Sequence, residues 1–169
     1  MQAKMNFYLN TARETMEPSM TGNRLFGEDD GVIKELVKKC QEAKTLAYCP
    51  YSNFPVGAAV LTKQGQIFQG CNVENASYGL TVCAERTVIQ KAVSEGYREF
   101  SAMAVTCDIK ETVGPCGACR QVMIEFGRDW DVYLTKPDGS YTRVKLNDLL
   151  FLPFEPSHLD GPHTKKTTN

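Results

Sequence analysis

The chain lacks most of what would tie it to a membrane or a polyanion. In its 169 residues no stretch approaches the roughly 20 consecutive apolar residues needed to span a bilayer. Nor is there a surplus of positive charge. Lys and Arg total 19 against 20 Asp and Glu, a net charge of -1, which argues against a nucleic-acid binder living on phosphate neutralisation. The first ten residues carry no apolar segment followed by a small-residue cleavage site, so a cytosolic setting is expected. Histidine is nearly missing: only His158 and His163 occur, both near the C-terminus, and a histidine-based metal site is therefore not expected in the body of the chain. Cysteine, by contrast, is plentiful. The seven are Cys40, Cys49, Cys71, Cys83, Cys107, Cys116 and Cys119. An odd number without a secretion signal does not make a disulfide framework, so reduced thiols need another use.

A hydrophobic fraction of 42% is enough for one packed core of ordinary size. Residues 1–30 are polar, with Pro18, Gly22, Gly27 and the acidic Glu28-Asp29-Asp30, and read as a partly mobile extension. Residues 158–169 read as a tail, which leaves 31–157 as the domain proper. Within it Val32, Ile33, Leu36, Val37, Cys40, Ala43 and Ala47 recur at helical spacing, predicting an amphipathic helix over 31–47. Pro50 and Pro55 forbid its continuation. Strands are predicted at 56–62 and 66–72 around a Lys63-Gln64-Gly65 turn, at 102–107, and at 132–135 and 141–146 around Pro137-Asp138-Gly139. Helices are predicted at 83–95 and 117–126, each stopped by a glycine. The order α-β-β-α-β-α-β-β points to a layered α/β domain around one mixed sheet. Cys40, Cys71 and Cys107 fall at apolar periodic positions and read as small core residues.

Two segments carry the chemistry: Cys83-Ala84-Glu85-Arg86 and Pro115-Cys116-Gly117-Ala118-Cys119-Arg120. Both open predicted helices. A Cys-x-x-Cys pair puts two sulfurs on one helical turn, close enough to share a tetrahedral ion, and a helix N-terminus favours thiolate over thiol. Taken alone, the pair is open between metal binding, dithiol redox chemistry and accident. A redox dithiol leaves Cys83 and Glu85 without a use. Were the two helix starts to face one point, three thiolates would converge with no fourth protein ligand, which is the pattern of a catalytic zinc with a position left for water. Glu85, two residues after Cys83, can reach the front of that helix end and serve the water as a proton carrier while leaving the metal to sulfur. Three thiolates on Zn²⁺ leave the centre at about -1. The helix N-termini and Arg86 are candidates to draw that charge off. Arg120 is a weaker one, since it reads as a solvated side chain.

The two segments resemble the signature of zinc-dependent deaminases, with Cys83-Ala84-Glu85 in place of its His-x-Glu and Pro115 to Cys119 supplying its Pro-Cys-x-x-Cys. Further runs, AYCPYSNFPVGAA at 47–59, GCNVENASY at 70–78 and CRQV at 119–122, are similar to the small homotetrameric cytidine deaminases. That resemblance covers about Val32 to Leu159 and implies a three-layer α/β/α sandwich with a mixed five-stranded sheet. It implies one Zn²⁺ per chain on Cys83, Cys116 and Cys119, with hydrolytic deamination of cytidine and 2′-deoxycytidine. By the same resemblance Glu85 is the proton shuttle and Arg86 hydrogen-bonds a ligating sulfur. Phe54 stacks on the pyrimidine, Asn72 and Glu74 hold the sugar, and the backbone at Ala84 meets the base. Ala76 and Tyr78 lie on a loop that a neighbouring subunit shares. Phe154, or else Phe151, enters a neighbour's site. No nucleic-acid or membrane partner is implied.

Overall fold

The chain's structure is a computed structural model that describes residues 30–160. The proposed extension lies outside the described residues except for Asp30, and so does the proposed tail beyond Asp160.

Helix α1 (Asp30–Lys44) buries Leu36, Val37, Cys40 and Ala43, the one-sided stripe its sequence announces. It ends three residues short of the predicted boundary. The Thr45 hydroxyl donates to the Glu42 carbonyl at 2.8 Å, and the chain turns so that Tyr48 can bridge to Val73. Strands β1 (Val56–Thr62) and β2 (Ile67–Cys71) form the expected hairpin. Helix α2 (Ala84–Ser94), strand β3 (Phe100–Cys107), helix α3 (Gly117–Ile124), strands β4 (Asp131–Thr135) and β5 (Tyr141–Lys145) and the short helix α4 (Leu146–Leu149) follow. Leu146, predicted as the end of the last strand, instead starts α4, its amide donating to the Trp130 carbonyl at 3.0 Å.

The five strands lie in the order β2-β1-β3-β4-β5. Only β3 and β4 run parallel; the other pairs are antiparallel, so the sheet is mixed as expected. Alternation along each strand sorts the core into two faces. Ala58, Val60, Met103, Val105, Val132 and Leu134 pack with Val88 and Ile89 of α2 and Met123 and Ile124 of α3. Ala59, Ala102, Ala104 and Tyr133 pack with Leu36, Val37 and Cys40 of α1. The result is the three-layer sandwich. Two glycines let both helices approach the hairpin closely. A Cβ on Gly57 would stand 2.0 Å from the Cys40 carbonyl oxygen, and one on Gly70 would stand 2.9 Å from the Val88 amide nitrogen.

Cys40 and Cys107 are buried as expected. Cys71 is not a core residue: it is half-buried, and its thiol donates to the Leu46 carbonyl at 3.3 Å. As the last residue of β2, it faces the loop that leaves α1.

Candidate active site

The site is assembled by loops stitched to one another where the hairpin ends. Beyond β2, Tyr48 and Glu74 exchange backbone hydrogen bonds with Asn72 and Tyr48 at 3.0 and 2.8 Å. Val73 and Val82 bond each other at 2.9 and 3.0 Å. The strand extension carrying Asn72 and Glu74 is thereby fixed against the residue preceding Cys83.

Cys83 is the N-cap of α2 and Cys116 the N-cap of α3, both with extended backbone and neither making a side-chain cap bond. Their sulfurs are 4.0 Å apart, and Cys116 and Cys119 are 3.5 Å apart. All three lie within 4.8 Å of one another. Ligands at ~2.3 Å in tetrahedral array stand about 3.8 Å apart, so the cluster has the size of a zinc site with one position left open. The exposed Cys116 and half-buried Cys83 line the cavity, while Cys119 is buried. Hydrogen bonding from Cys119, with help from Arg86, pulls the Cys83 thiol down to about 5. The same sharing holds the proton on Cys119 and pushes its thiol up.

Arg86 lies against the first ligand. Its Nη2 donates to the Thr81 carbonyl at 2.9 Å and to Cys83 Sγ at 3.6 Å. Arg120 does not fit the expectation of a solvated side chain. Its Nε donates to the Pro115 carbonyl and its Nη1 to the Leu149 carbonyl, each at 2.7 Å, and its hydrogen bonds go to carbonyls instead of sulfur.

Glu85 sits on the first turn of α2, 4% exposed. Burial pushes its carboxyl above the ordinary range, and the neighbouring Cys83 charge adds to this. It opens on a cavity of about 430 Å³ whose walls also include Cys83, Cys116, Phe54, Asn72 and Glu74. Asn72 Oδ1 accepts from the Val56 amide at 2.8 Å, and its Nδ2 donates to the Phe54 carbonyl at 2.9 Å. Glu74 accepts from the amides of Tyr51 (2.9 Å) and Ser52 (3.2 Å) and from the Ser52 hydroxyl. The two side chains thus shape the turn that presents Phe54, in which Asn53 adopts φ 53°.

Ala84, the first residue of α2, is fully buried and its side chain is not part of the cavity wall. Ala76, Tyr78, Phe151 and Phe154 are not brought into the cavity wall. Tyr78 is 74% exposed, with its ring 5.8 Å from that of Tyr51. Phe154 is 61% exposed and stacks on His158 at 5.7 Å. The cavity also uses residues the sequence reading did not name: Ser52, Thr81, Val113, Gly114, Thr135 and the end of β3. Ser52 lay inside the 47–59 run; the β3 and β4 ends carry no chemical signature and become visible only once the strands are aligned.

The profile described as the cytidine and deoxycytidylate deaminase zinc-binding region matches residues 31–135. The chain belongs to that deaminase family. A cytidine deaminase of Halalkalibacterium halodurans is 52% identical over 116 residues, 68% of this chain and 88% of the relative. A probable cytidine deaminase of Dictyostelium discoideum is 51% identical over 119 residues, 70% of this chain and 80% of the relative. Among solved structures, the cytidine deaminase from Burkholderia pseudomallei superimposes with a TM-score of 0.69 at 50% identity, covering 71% of this chain and 97% of that one. Zinc is the cofactor of this deaminase, and the three-cysteine cluster has the donor set and the dimensions to hold it.

Proposed function

We propose that the protein deaminates cytidine and 2′-deoxycytidine hydrolytically, giving the uridines and ammonia, a reaction of pyrimidine nucleoside recycling. One observation carries this reading: a buried carboxyl, Glu85, opens on the same cavity as the three-sulfur cluster and the Phe54–Asn72–Glu74 wall. Zinc held by Cys83, Cys116 and Cys119 supplies the acidification of a water molecule. Glu85 would take one proton of that water and deliver it to the ring nitrogen N3 as the oxygen bonds to C4; it would then take the remaining proton from the new C4 hydroxyl and pass it to the amine as the C4–N bond breaks. Its burial keeps bulk water from competing for the proton. Arg86, bonded to Cys83, offsets the excess negative charge of three thiolates. The Phe54 ring offers a stacking face for the pyrimidine, an interaction worth about 1–3 kcal/mol.

The sugar end follows from hydrogen-bond capacity. A carboxylate has about four acceptor positions, and protein donors occupy three of those on Glu74. Asn72 has already spent one N–H on the Phe54 carbonyl, which leaves one. An acceptor beside a donor suits a single hydroxyl. The pair thus has room for one sugar hydroxyl; the resemblance to cytidine deaminases implies that it is the 3′, so that both ribose and 2′-deoxyribose are admitted. A carboxylate repels a phosphate, so nucleosides are preferred to nucleotides and to nucleic acid. Tyr78 and Phe154, exposed and outside the cavity wall, suit a homotetramer in which they complete neighbouring sites. A cytosolic location accords with the balanced charge; among the described residues no helix is long and apolar enough to cross a membrane.

Steady-state rates on cytidine, 2′-deoxycytidine, 3′-deoxycytidine, cytidine monophosphate and a cytosine-containing oligonucleotide, with zinc measured on the same sample, test this. The two 3′-hydroxyl nucleosides are expected to have kcat/KM within about tenfold of each other, and the 3′-deoxy compound to lose at least about tenfold. A preference for the oligonucleotide, or one zinc per chain without ammonia release, overturns the proposal.

A further inference from the structure

The cavity wall that carries Cys116 has little to hold it. Residues 108–115 make no backbone–backbone hydrogen bond outside the regular elements among the described residues. Apart from the Arg120 bond to Pro115, the side-chain bonds seen to reach this stretch among the described residues are those of Asp108 with Lys44 and of Thr112 with Thr142, the latter at 3.5 Å. Both lie several residues from the ligand. Cys116 itself is exposed, and as an N-cap it makes no capping bond of its own.

Arg120 answers this on both sides of the ligand. Its backbone amide donates to the Cys116 carbonyl at 3.0 Å, and its Nε donates to the carbonyl of Pro115, the residue before, at 2.7 Å. The peptide groups flanking Cys116 are therefore both held by one residue of the helix that also carries Cys119. The rest of the guanidinium is equally constrained. Nη1 donates to the Leu149 carbonyl at 2.7 Å, at the end of α4, and Nη2 lies 3.3 Å from where a Cβ on Gly114 would stand. A planar fork with fixed donor directions can bridge two carbonyls in this way; a lysine ammonium, a single point donor, cannot hold both in the same geometry.

We propose that Arg120 is a positioning residue of the metal centre: it fixes the Pro115–Cys116 peptide, and so the Cys116 sulfur, in the place zinc requires, with Leu149 as the fixed point it braces against. This rests on the zinc reading of the three cysteines. The role is distinct from that of Arg86, which touches sulfur directly. Were Arg120 present to balance charge, any cation would serve; a brace requires the fork.

The test uses the zinc-loaded protein and its Arg120→Lys and Arg120→Gln variants. The rate of zinc transfer to a colorimetric chelator is followed, together with melting temperatures of the loaded and zinc-stripped forms. Supports of metal ligands typically contribute 10–100-fold to metal affinity. Both variants are expected to release zinc at least about tenfold faster, with a melting temperature that falls further in the loaded form than in the stripped form. Release at the unaltered rate overturns the proposal. Full rescue by lysine overturns it in favour of charge balance. An equal fall in melting temperature with and without zinc, or failure of both variants to fold, overturns it in favour of a purely structural clamp. Failure of the zinc reading shows differently, as an unaltered chain holding less than one zinc.

Discussion

Replacing Glu85 by Gln tests the division of labour at the site most sharply. The amide keeps the size of the carboxyl and its hydrogen-bonding ability but cannot carry a proton. General acid–base catalysis is worth about 10²–10⁴ in rate. The upper end applies here, because the same carboxyl must first deprotonate water and then protonate the ring and the amine, and at 4% exposure no bulk water replaces it. The expected fall in kcat is about 10⁴, equivalent to about 5.5 kcal/mol of transition-state stabilisation. Zinc content should stay at one per chain, since the three atoms that converge within 4.8 Å are all sulfur. The melting temperature should not fall, because burial already disfavours the charged carboxylate and a neutral amide removes that cost. Loss of cytidine absorbance and ammonia release give the rate, and metal analysis gives the occupancy. A fall in kcat of less than about tenfold with zinc retained refutes the shuttle; loss of zinc along with activity refutes the assignment of Glu85 as a non-ligand.

Cys116→Ala should lose zinc and turnover together, measured by metal analysis and rate on the same preparation. Arg86→Gln should keep zinc but lose about 10–100-fold in kcat, the usual scale for a group hydrogen-bonded to a metal ligand; an unchanged kcat would leave charge balance to the two helix ends. The Ser52 hydroxyl and the Tyr51 and Ser52 amides hold the Glu74 carboxyl below its ordinary 4.5. Because the folded-state value is depressed, the carboxylate stays charged on acidification, and the Glu74 contribution to KM, read as the ratio of Glu74→Gln to the unaltered chain, should stay flat from pH 7 toward 4.5. It should decline only as pH falls through the lowered value, and Ser52→Ala should bring that decline to higher pH. Gly57→Ala would force a methyl group onto backbone atoms of α1 at 2.0 Å, and chemical denaturation should register a loss of about 3 kcal/mol or more.

Much of this was legible in the sequence, and the reasons differ from part to part. The strands came through as short apolar runs bounded by turn residues, the pattern of a sheet covered on both faces: 56–62 coincides with β1, which is buried almost throughout. The zinc cluster came through because a helix start and a Cys-x-x-Cys spacing are both local. Glu85 stood out by its offset to Cys83, and the fold sets it, buried, in the wall of the same cavity. What stayed hidden depends on groups that meet only after folding. The Arg120 fork reaches a carbonyl 29 residues away, and nothing local distinguishes it from a solvated arginine. The bonds from Asn72 and Glu74 back to the 51–56 turn span 16 to 23 residues, so their remaining capacity for a ligand could not be counted beforehand. The end of α1 shifted because a bridge to Val73 outweighed helical periodicity.

The two N-cap cysteines carry an evolutionary consequence. Each helix offers a ligand at its starting position, so the ion registers the phase of both. A single-residue insertion within the first turn of α2 or α3 would rotate every following side chain by about 100°, carrying Glu85 or Cys119 away from the centre. The connecting loops bear no such constraint until they reach the residue before the cysteine. Length variation is therefore expected to accumulate in the 108–112 stretch and to stop at Val113-Gly114-Pro115, where the cavity wall and the brace from Arg120 begin.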